Sequence, residues 1–181
     1  MKCHQIIATS DQLIQMFNDT FHDSEGADEG RAIGDLVRSL LLEMSDDEVN
    51  VFSFGLSDDD HAIGACVFSK LLFSAHPSSV WLLAPVAVAT AHQGKGIGQA
   101  MIRSALESMQ TDHGAEIVLT YGDPAFYGRV GFRAIREIDA PAPFPLRYPE
   151  GWLGQHLNKG SIGPWSGPCR CVSAFNDPQL W

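Results

Sequence analysis

Val86-Ala87-Val88-Ala89-Thr90-Ala91-His92-Gln93-Gly94-Lys95-Gly96-Ile97-Gly98 runs from an apolar strand through a short linker into a glycine-punctuated turn that opens a helix. Backbone N–H groups at a helix start have no intrahelical acceptors, the macrodipole places partial positive charge there, and glycines admit an anion close to the main chain. The segment reads as a cradle for a pyrophosphate. Its spacing disfavours two common nucleotide sites. Gly96, and not a hydroxyl residue, follows Lys95, so the magnesium-holding end of a P-loop is missing. Gly94-x-Gly96-x-Gly98 also brings the third glycine of the dinucleotide fingerprint one residue early, with no acidic residue closing a second strand about 20 positions on. Taken alone, the triplet also fits a plain tight turn before a helix.

A second block follows in Asp123-Pro124-Ala125-Phe126-Tyr127-Gly128-Arg129-Val130-Gly131-Phe132. Gln93-x-x-Gly96-x-Gly98 after Val86-Ala87-Val88 resembles the acyl-CoA-binding motif of the GCN5-related N-acetyltransferase (GNAT) superfamily. The second block resembles the superfamily's next segment, an aromatic pair before a short helix that ends in Gly-Phe. Both occur in family order, one helix and one strand apart, and the resemblance covers roughly residues 3–140. It implies an α+β acyl-CoA N-acyltransferase fold: a mixed, mostly antiparallel twisted sheet, helices on both faces, and a splayed strand pair that receives acyl-CoA.

The resemblance also implies roles. In the strand Val86, Ala87 and Val88, main-chain groups of Val86 and Val88 bind the pantetheine arm and thioester carbonyl beside Pro85. Gln93, Gly94, Lys95, Gly96, Ile97 and Gly98 hold the pyrophosphate. Tyr127 matches the tyrosine that sits near the thioester sulfur as general acid; an unperturbed phenol, with a pKa near ~10 against ~8.5 for a thiol, is protonated at neutral pH and can supply the departing thiolate. Many family members carry a carboxylate on the strand before the motif, but Trp81-Leu82-Leu83-Ala84 has none. Asp123 is the candidate base, acting through water, although Asp before Pro also starts turns. An amine that is already partly neutral needs no dedicated base. Thr90 stands where the family commonly has proline.

Composition sets the outer bounds. The 181 residues, 45% of them hydrophobic, suit one core. We place the acetyltransferase domain at residues 1–140 and a Pro/aromatic-rich extension, packed on the same domain, at 141–181. Twelve basic against 22 acidic residues give a net charge of −10, which argues against nucleic-acid or anionic-membrane partners and suits a basic acceptor. Lys95, Arg103, Arg129, Arg133 and Arg136 nevertheless fall around the two motifs. The N-terminus shows no signal-peptide pattern and no run spans a bilayer, so a cytoplasmic protein, monomer or homodimer, is expected. Cys3, Cys66, Cys169 and Cys171 include no Cys-x-x-Cys, and the seven histidines show no paired ligand spacing; free thiols and no metal are expected.

Along the chain, strands are expected over Cys3–Ala8, Val49–Leu56, Ala62–Phe73, Val80–Val88 and Glu116–Thr120, with Pro85 breaking the fourth. Helices are expected over Asp11–Phe21, Arg31–Met44 and Ile97–Met109, with an acidic loop carrying Glu25, Asp28 and Glu29 between the first two. That loop either recognises a cation or is a solvated face. A final hairpin should pair Phe132–Ile138 with a strand near Cys169–Phe175. The stretch Ala140–Trp152 is too proline-rich for a helix or central strand; Phe144, Tyr148 and Trp152 either wall an acceptor pocket or pack as a covering tail.

The expected function is N-acetylation of a primary amine on a small molecule or peptide, by direct transfer from acetyl-CoA in a ternary complex. The rival of a different class is a non-catalytic acyl-CoA sensor, which the missing strand carboxylate favours and Tyr127 disfavours. A nucleotide-binding protein is the third reading.

Overall fold

A computed structural model describes residues 4–6, 11–43, 51–58, 61–74 and 76–181. Apolar residues at helical spacing make two helices early in the chain. Helix α1 (Asp11–Glu25) buries Leu13, Ile14, Met16 and Phe17, and α2 (Ala27–Glu43) buries Val37, Leu40 and Leu41 along one stripe. The expected acidic loop between them is instead helix, broken only at Gly26. That residue takes φ 101° and donates its N–H to the His22 carbonyl at 2.9 Å, a left-handed stop. Asp28 and Glu29 then sit in the first turn of α2, where carboxylates oppose the positive end of the helix dipole.

The strands are β1 (His4–Ile6), β2 (Val51–Asp58), β3 (His61–Phe73), β4 (His76–Val88), β5 (Ile117–Tyr121), β6 (Arg133–Ala134), β7 (Trp152–His156) and β8 (Cys169–Arg170). Hydrogen-bonded neighbours follow the order β1-β2-β3-β4-β5-β7-β6, with β8 on β3. β1/β2, β3/β8, β5/β7 and β6/β7 are antiparallel, whereas β4/β5 is parallel. This is the mixed, mostly antiparallel α+β architecture. Cys3, Ile7 and Ala8 of the expected first strand, Met44 of the expected second helix, and Val49 and Asn50 of the expected second strand lie outside the described residues. Helix α3 (Ile97–Thr111) joins β4 to β5, and α4 (Pro124–Tyr127) follows β5.

The expected last hairpin is corrected. Arg133 and Ala134 pair with Gly154 and Leu153, and Cys169 and Arg170 pair with Phe73 and Leu72. The proline-rich segment is the connection that brings the chain back at Trp152, whose side chain is wholly buried there. After two ladder residues the Cys169 strand gives way to a 3₁₀ turn at Ser173–Phe175.

By packing, the chain divides into Met1–Phe68 with Pro85–Ala105, and Ser69–Ala84 with Leu106–Trp181. The core of the first unit contains Phe17, Val37, Leu40, Val67, Phe68, Met101 and Ile102. That of the second contains Leu82, Leu83, Met109, Ile117, Val118 and Trp152. In the second unit Trp181 packs edge-on against Trp152 at 6.0 Å and Phe175 at 6.1 Å. A buried indole N–H must find an acceptor; Trp152 donates to the Ala140 carbonyl at 2.8 Å and Trp181 to that of Phe175 at 3.1 Å. Among the described residues no helix is long and apolar enough to cross a membrane.

Candidate functional site

The parallel ladder between β4 and β5 pairs Val80 with Ile117, Trp81 with Val118 and Leu82 with Leu119, then stops, although β4 runs on to Val88. The next carbonyl, that of Leu83, accepts instead from the hydroxyl of wholly buried Thr120 at 2.8 Å. A side chain thus satisfies a group that the ending ladder would orphan. Pro85 does not interrupt the strand as expected; it lies within it, past the last paired residue, where a missing N–H costs no ladder bond to β5. Ala87 is buried, and Val86 and Val88 are half-buried. Main chain of β4 beyond Leu83 is therefore not used by β5, the condition for adding an extended ligand along a strand.

At the end of β4 the Ala89 N–H donates to the Ile63 carbonyl at 2.9 Å, and Thr90–His92 form one 3₁₀ turn. The Gln93 amide then reaches back to the Val88 carbonyl at 2.9 Å, and Lys95 Nζ to the Ala91 carbonyl at 3.0 Å. Gly94 and Gly96 hold φ 72° and 75°, left-handed values that other L-residues adopt only with strain. The first helical acceptor is the Gly96 carbonyl, taken by Ala100 at 3.1 Å. The N–H groups of Ile97, Gly98 and Gln99 precede that ladder at the positive end of a 15-residue helix. Gln93, Lys95 and both left-handed glycines are exposed. Thr90, at the family's proline position, ties the linker to α1 by donating its hydroxyl to Asp23 at 2.7 Å.

In the second block Asp123 caps α4. Its Oδ1 accepts the Ala125 N–H at 2.8 Å, and its carbonyl accepts the N–H of Phe126 and Tyr127 at 3.2 and 3.1 Å. Pro124 at the first helical position supplies the fixed φ that a short turn needs. The half-buried Tyr127 ring meets Phe126 at 5.0 Å and Phe132 at 5.7 Å, both edge-on. Its third neighbour is the backbone of Gly122, where an added Cβ would stand 2.7 Å from Tyr127 Cε2. The ring is packed on three sides.

Other expected residues are placed differently. Arg136 is bound to Asp139 through Nε at 2.7 Å and Nη2 at 2.9 Å, so that charge is already committed. Glu25, Asp28 and Glu29 are exposed helix residues; the carboxylates that line a cleft of about 730 Å³ with Ala89, Thr90 and Ala91 are Asp11, Asp19 and Asp23 of α1. Phe144, Tyr148 and Trp152 do not form one wall. Trp152 is core, Tyr148 is exposed with its N–H donated to the Tyr121 hydroxyl at 2.7 Å, and Phe144 lines a separate cleft with Cys169 and Cys171.

Cys66 and Cys169 are buried; burial first, and then nearby Cys171, push the Cys169 thiol up to about 12, so it carries no thiolate at neutral pH. No cluster of three His, Cys, Asp or Glu side chains among the described residues is arranged to hold a metal. Sequence reasoning missed Thr120 and Gly122. A hydroxyl inside the apolar run Ile117–Tyr121 was a legible signal, since once buried it must find an acceptor.

Comparison with known proteins accords with this geometry. Residues 11–132 match the model of the acetyltransferase (GNAT) family. The chain is 30% identical to the uncharacterized N-acetyltransferase YjhQ of Escherichia coli K12 over 170 residues, covering 84% of this chain and 92% of that protein. Among solved structures it resembles the GNAT family N-acetyltransferase YhbS of Escherichia coli in complex with CoA, with TM-score 0.73, 20% identity and coverage of 98% and 93% of the two chains. It also resembles a GNAT family acetyltransferase of Brucella melitensis in complex with acetyl-CoA, with TM-score 0.67, 22% identity and coverage of 96% and 98%. With its strand order, its glycine turn at the end of β4 and its family match over both motif blocks, the chain belongs to the acetyltransferase (GNAT) family and is an acyltransferase.

Proposed function

We propose that the chain moves the acetyl group of acetyl-CoA to a primary amine of a small molecule or peptide by direct attack in a ternary complex. The observation that carries this reading is the glycine turn that opens α3, held to the end of β4 by Gln93. The similar folds with CoA and acetyl-CoA support the donor class. Residues 1–140 carry the chemistry in this reading, and 141–181 form the extension that contributes β7.

Main-chain groups of Val86 and Val88, with Ala87 buried between them, bind the pantetheine arm and the thioester carbonyl. N–H groups of Gly94, Gly96, Ile97 and Gly98, with the charge of Lys95, hold the pyrophosphate. The amine nitrogen attacks the thioester carbon, a C–N bond forms, and the negative charge on the oxygen is met by strand N–H groups. As the C–S bond breaks, the Tyr127 phenol gives its proton to the thiolate. Asp123, whose Oδ1 is occupied by the cap, accepts the amine proton through water. Asp11, Asp19 and Asp23 along the cleft beside Thr90 favour a cationic acceptor.

Steady-state turnover with a panel of amines and lysine peptides, measured beside Tyr127→Phe, tests this. The variant should lose about a hundredfold or more in kcat while its acetyl-CoA Kd stays within about twofold. A sensor would show no turnover in either form. An unchanged kcat in the variant removes Tyr127 from the mechanism.

A further inference from the structure

The extension meets the end of β5 at the turn Tyr148–Gly151. One residue past the β5/β7 ladder, the Gly122 N–H donates to the Gly151 carbonyl at 3.0 Å. The Gly151 N–H does not return that bond; it donates to the Tyr148 carbonyl at 2.9 Å and closes a 3₁₀ turn over Pro149–Gly151. At the other end of the turn, the Tyr148 N–H donates to the Tyr121 hydroxyl at 2.7 Å. Gly151 is buried, and a Cβ there would stand 3.1 Å from the Gly122 carbonyl oxygen and 3.2 Å from Tyr121 Cε2. The turn lies this close to β5 because residue 151 has no side chain.

From Gly122 the contacts continue to Tyr127. The Tyr127 ring lies against Gly122 where a Cβ would otherwise stand, and Asp123, next in the chain, caps α4 and accepts the N–H groups of Phe126 and Tyr127. A shift of Gly122 therefore moves both the surface beneath the ring and the start of the helix that carries it. The turn is anchored on its other side. Trp152, which follows Gly151, is wholly buried, donates its indole N–H to the Ala140 carbonyl and packs on Trp181. We propose that the Tyr148–Gly151 turn is a positioning element for acetyl transfer, in which Gly151 and the Tyr121 hydroxyl fix Gly122 and, through it, the Tyr127 ring. This role rests on Tyr127 being the proton donor to the leaving thiolate. Gly151 and Tyr121 act through that ring, and not on the reacting atoms themselves.

Gly151→Ala in the full chain tests the role, read by kcat, by acetyl-CoA Kd and by NMR of isotope-labelled tyrosine, of which the chain holds three residues. The new methyl group must push Gly122 or the Tyr121 ring aside by a few tenths of an ångström. In consequence kcat should fall about tenfold with Kd held within about twofold, and the Tyr127 resonance should shift. In a Tyr127→Phe background the same substitution should cost less than about twofold, because the positioned hydroxyl is gone. Tyr121→Phe keeps the ring but removes the acceptor of the Tyr148 N–H; it should lower kcat about threefold and move the same resonance. Circular dichroism and denaturant unfolding certify each variant as folded, and Tyr121→Phe carries the test alone should Gly151→Ala not fold. A folded variant with wild-type kcat, or with an unmoved Tyr127 resonance, overturns the proposal, and so do equal losses of kcat with and without the Tyr127 hydroxyl. A wild-type kcat in Tyr127→Phe overturns it in a distinguishable way: the resonance still shifts in Gly151→Ala, and what has failed is the acid assignment.

Discussion

The turn at Gln93–Gly98 and the block at Asp123–Phe132 are built in opposite ways. In the first, the two long polar side chains fold back on the carbonyls of Val88 and Ala91, and a Cβ at Gly94 or Gly96 would meet nothing within 4 Å. What it offers a ligand is main chain, fixed by dihedral angle. In the second, one side chain matters, and Tyr127 is set by Phe126, Phe132 and the bare backbone of Gly122. A site made of backbone should resist changes of side-chain size and fail when φ is forced. A site made of one packed ring should fail when a methyl group arrives on the wrong side.

Gly122→Ala is the sharpest way to break that contrast. The new Cβ lies 2.7 Å from Tyr127 Cε2, so the ring must move. A displacement on the order of 1 Å at a reacting group costs up to about a hundredfold, and kcat should fall roughly ten- to a hundredfold with acetyl-CoA affinity unchanged. An unaltered kcat in steady-state assays would mean that the packing of Tyr127 is not what positions it. Thr120→Val comes next, because it leaves the Leu83 carbonyl buried without a donor. Denaturant unfolding should show a loss of about 1–3 kcal/mol, with Thr120→Ser near wild type.

The same contrast explains what could be read before any coordinates. The glycine turn was legible because φ 72° and 75° at Gly94 and Gly96 demand glycine, and that demand is written in the sequence. Helix stripes were legible for the similar reason that burial follows the 3.6-residue period. The partner of β6 was not. Arg133–Ala134 is two residues long and exposed, so neither its period nor its composition distinguishes Trp152–His156 from Cys169–Phe175 as a mate. The helical path through Ser24–Glu29 was masked by its acidity, which looks like a loop until the first-turn carboxylates of α2 are set against the dipole. Gly122 carried no local signal, since the ring that it accommodates comes from five residues further on.

Two smaller effects sharpen the backbone half of the comparison. Gly96→Ala forces a Cβ into the left-handed region at a cost of about 1–2 kcal/mol, so acetyl-CoA should bind roughly tenfold more weakly. Gly96→Asn, which tolerates that region, should lose no more than about threefold. Equal losses in calorimetry would indicate that side-chain bulk, and not φ, governs the turn. Asp123→Ala removes the cap of α4 and should lower stability by about 1 kcal/mol in thermal unfolding, with Asp123→Asn retaining most of it.

The central claim is that the Val86–Gly98 segment is an acyl-CoA site, and calorimetric titration of the purified chain with acetyl-CoA and CoA, against ATP and NAD in the same buffer, tests it most directly. Saturable binding in the micromolar range by the CoA compounds alone is the result that the glycine turn predicts. A folded chain that binds neither CoA compound, or that prefers ATP or NAD, would contradict it and leave the turn as the start of a helix and nothing more.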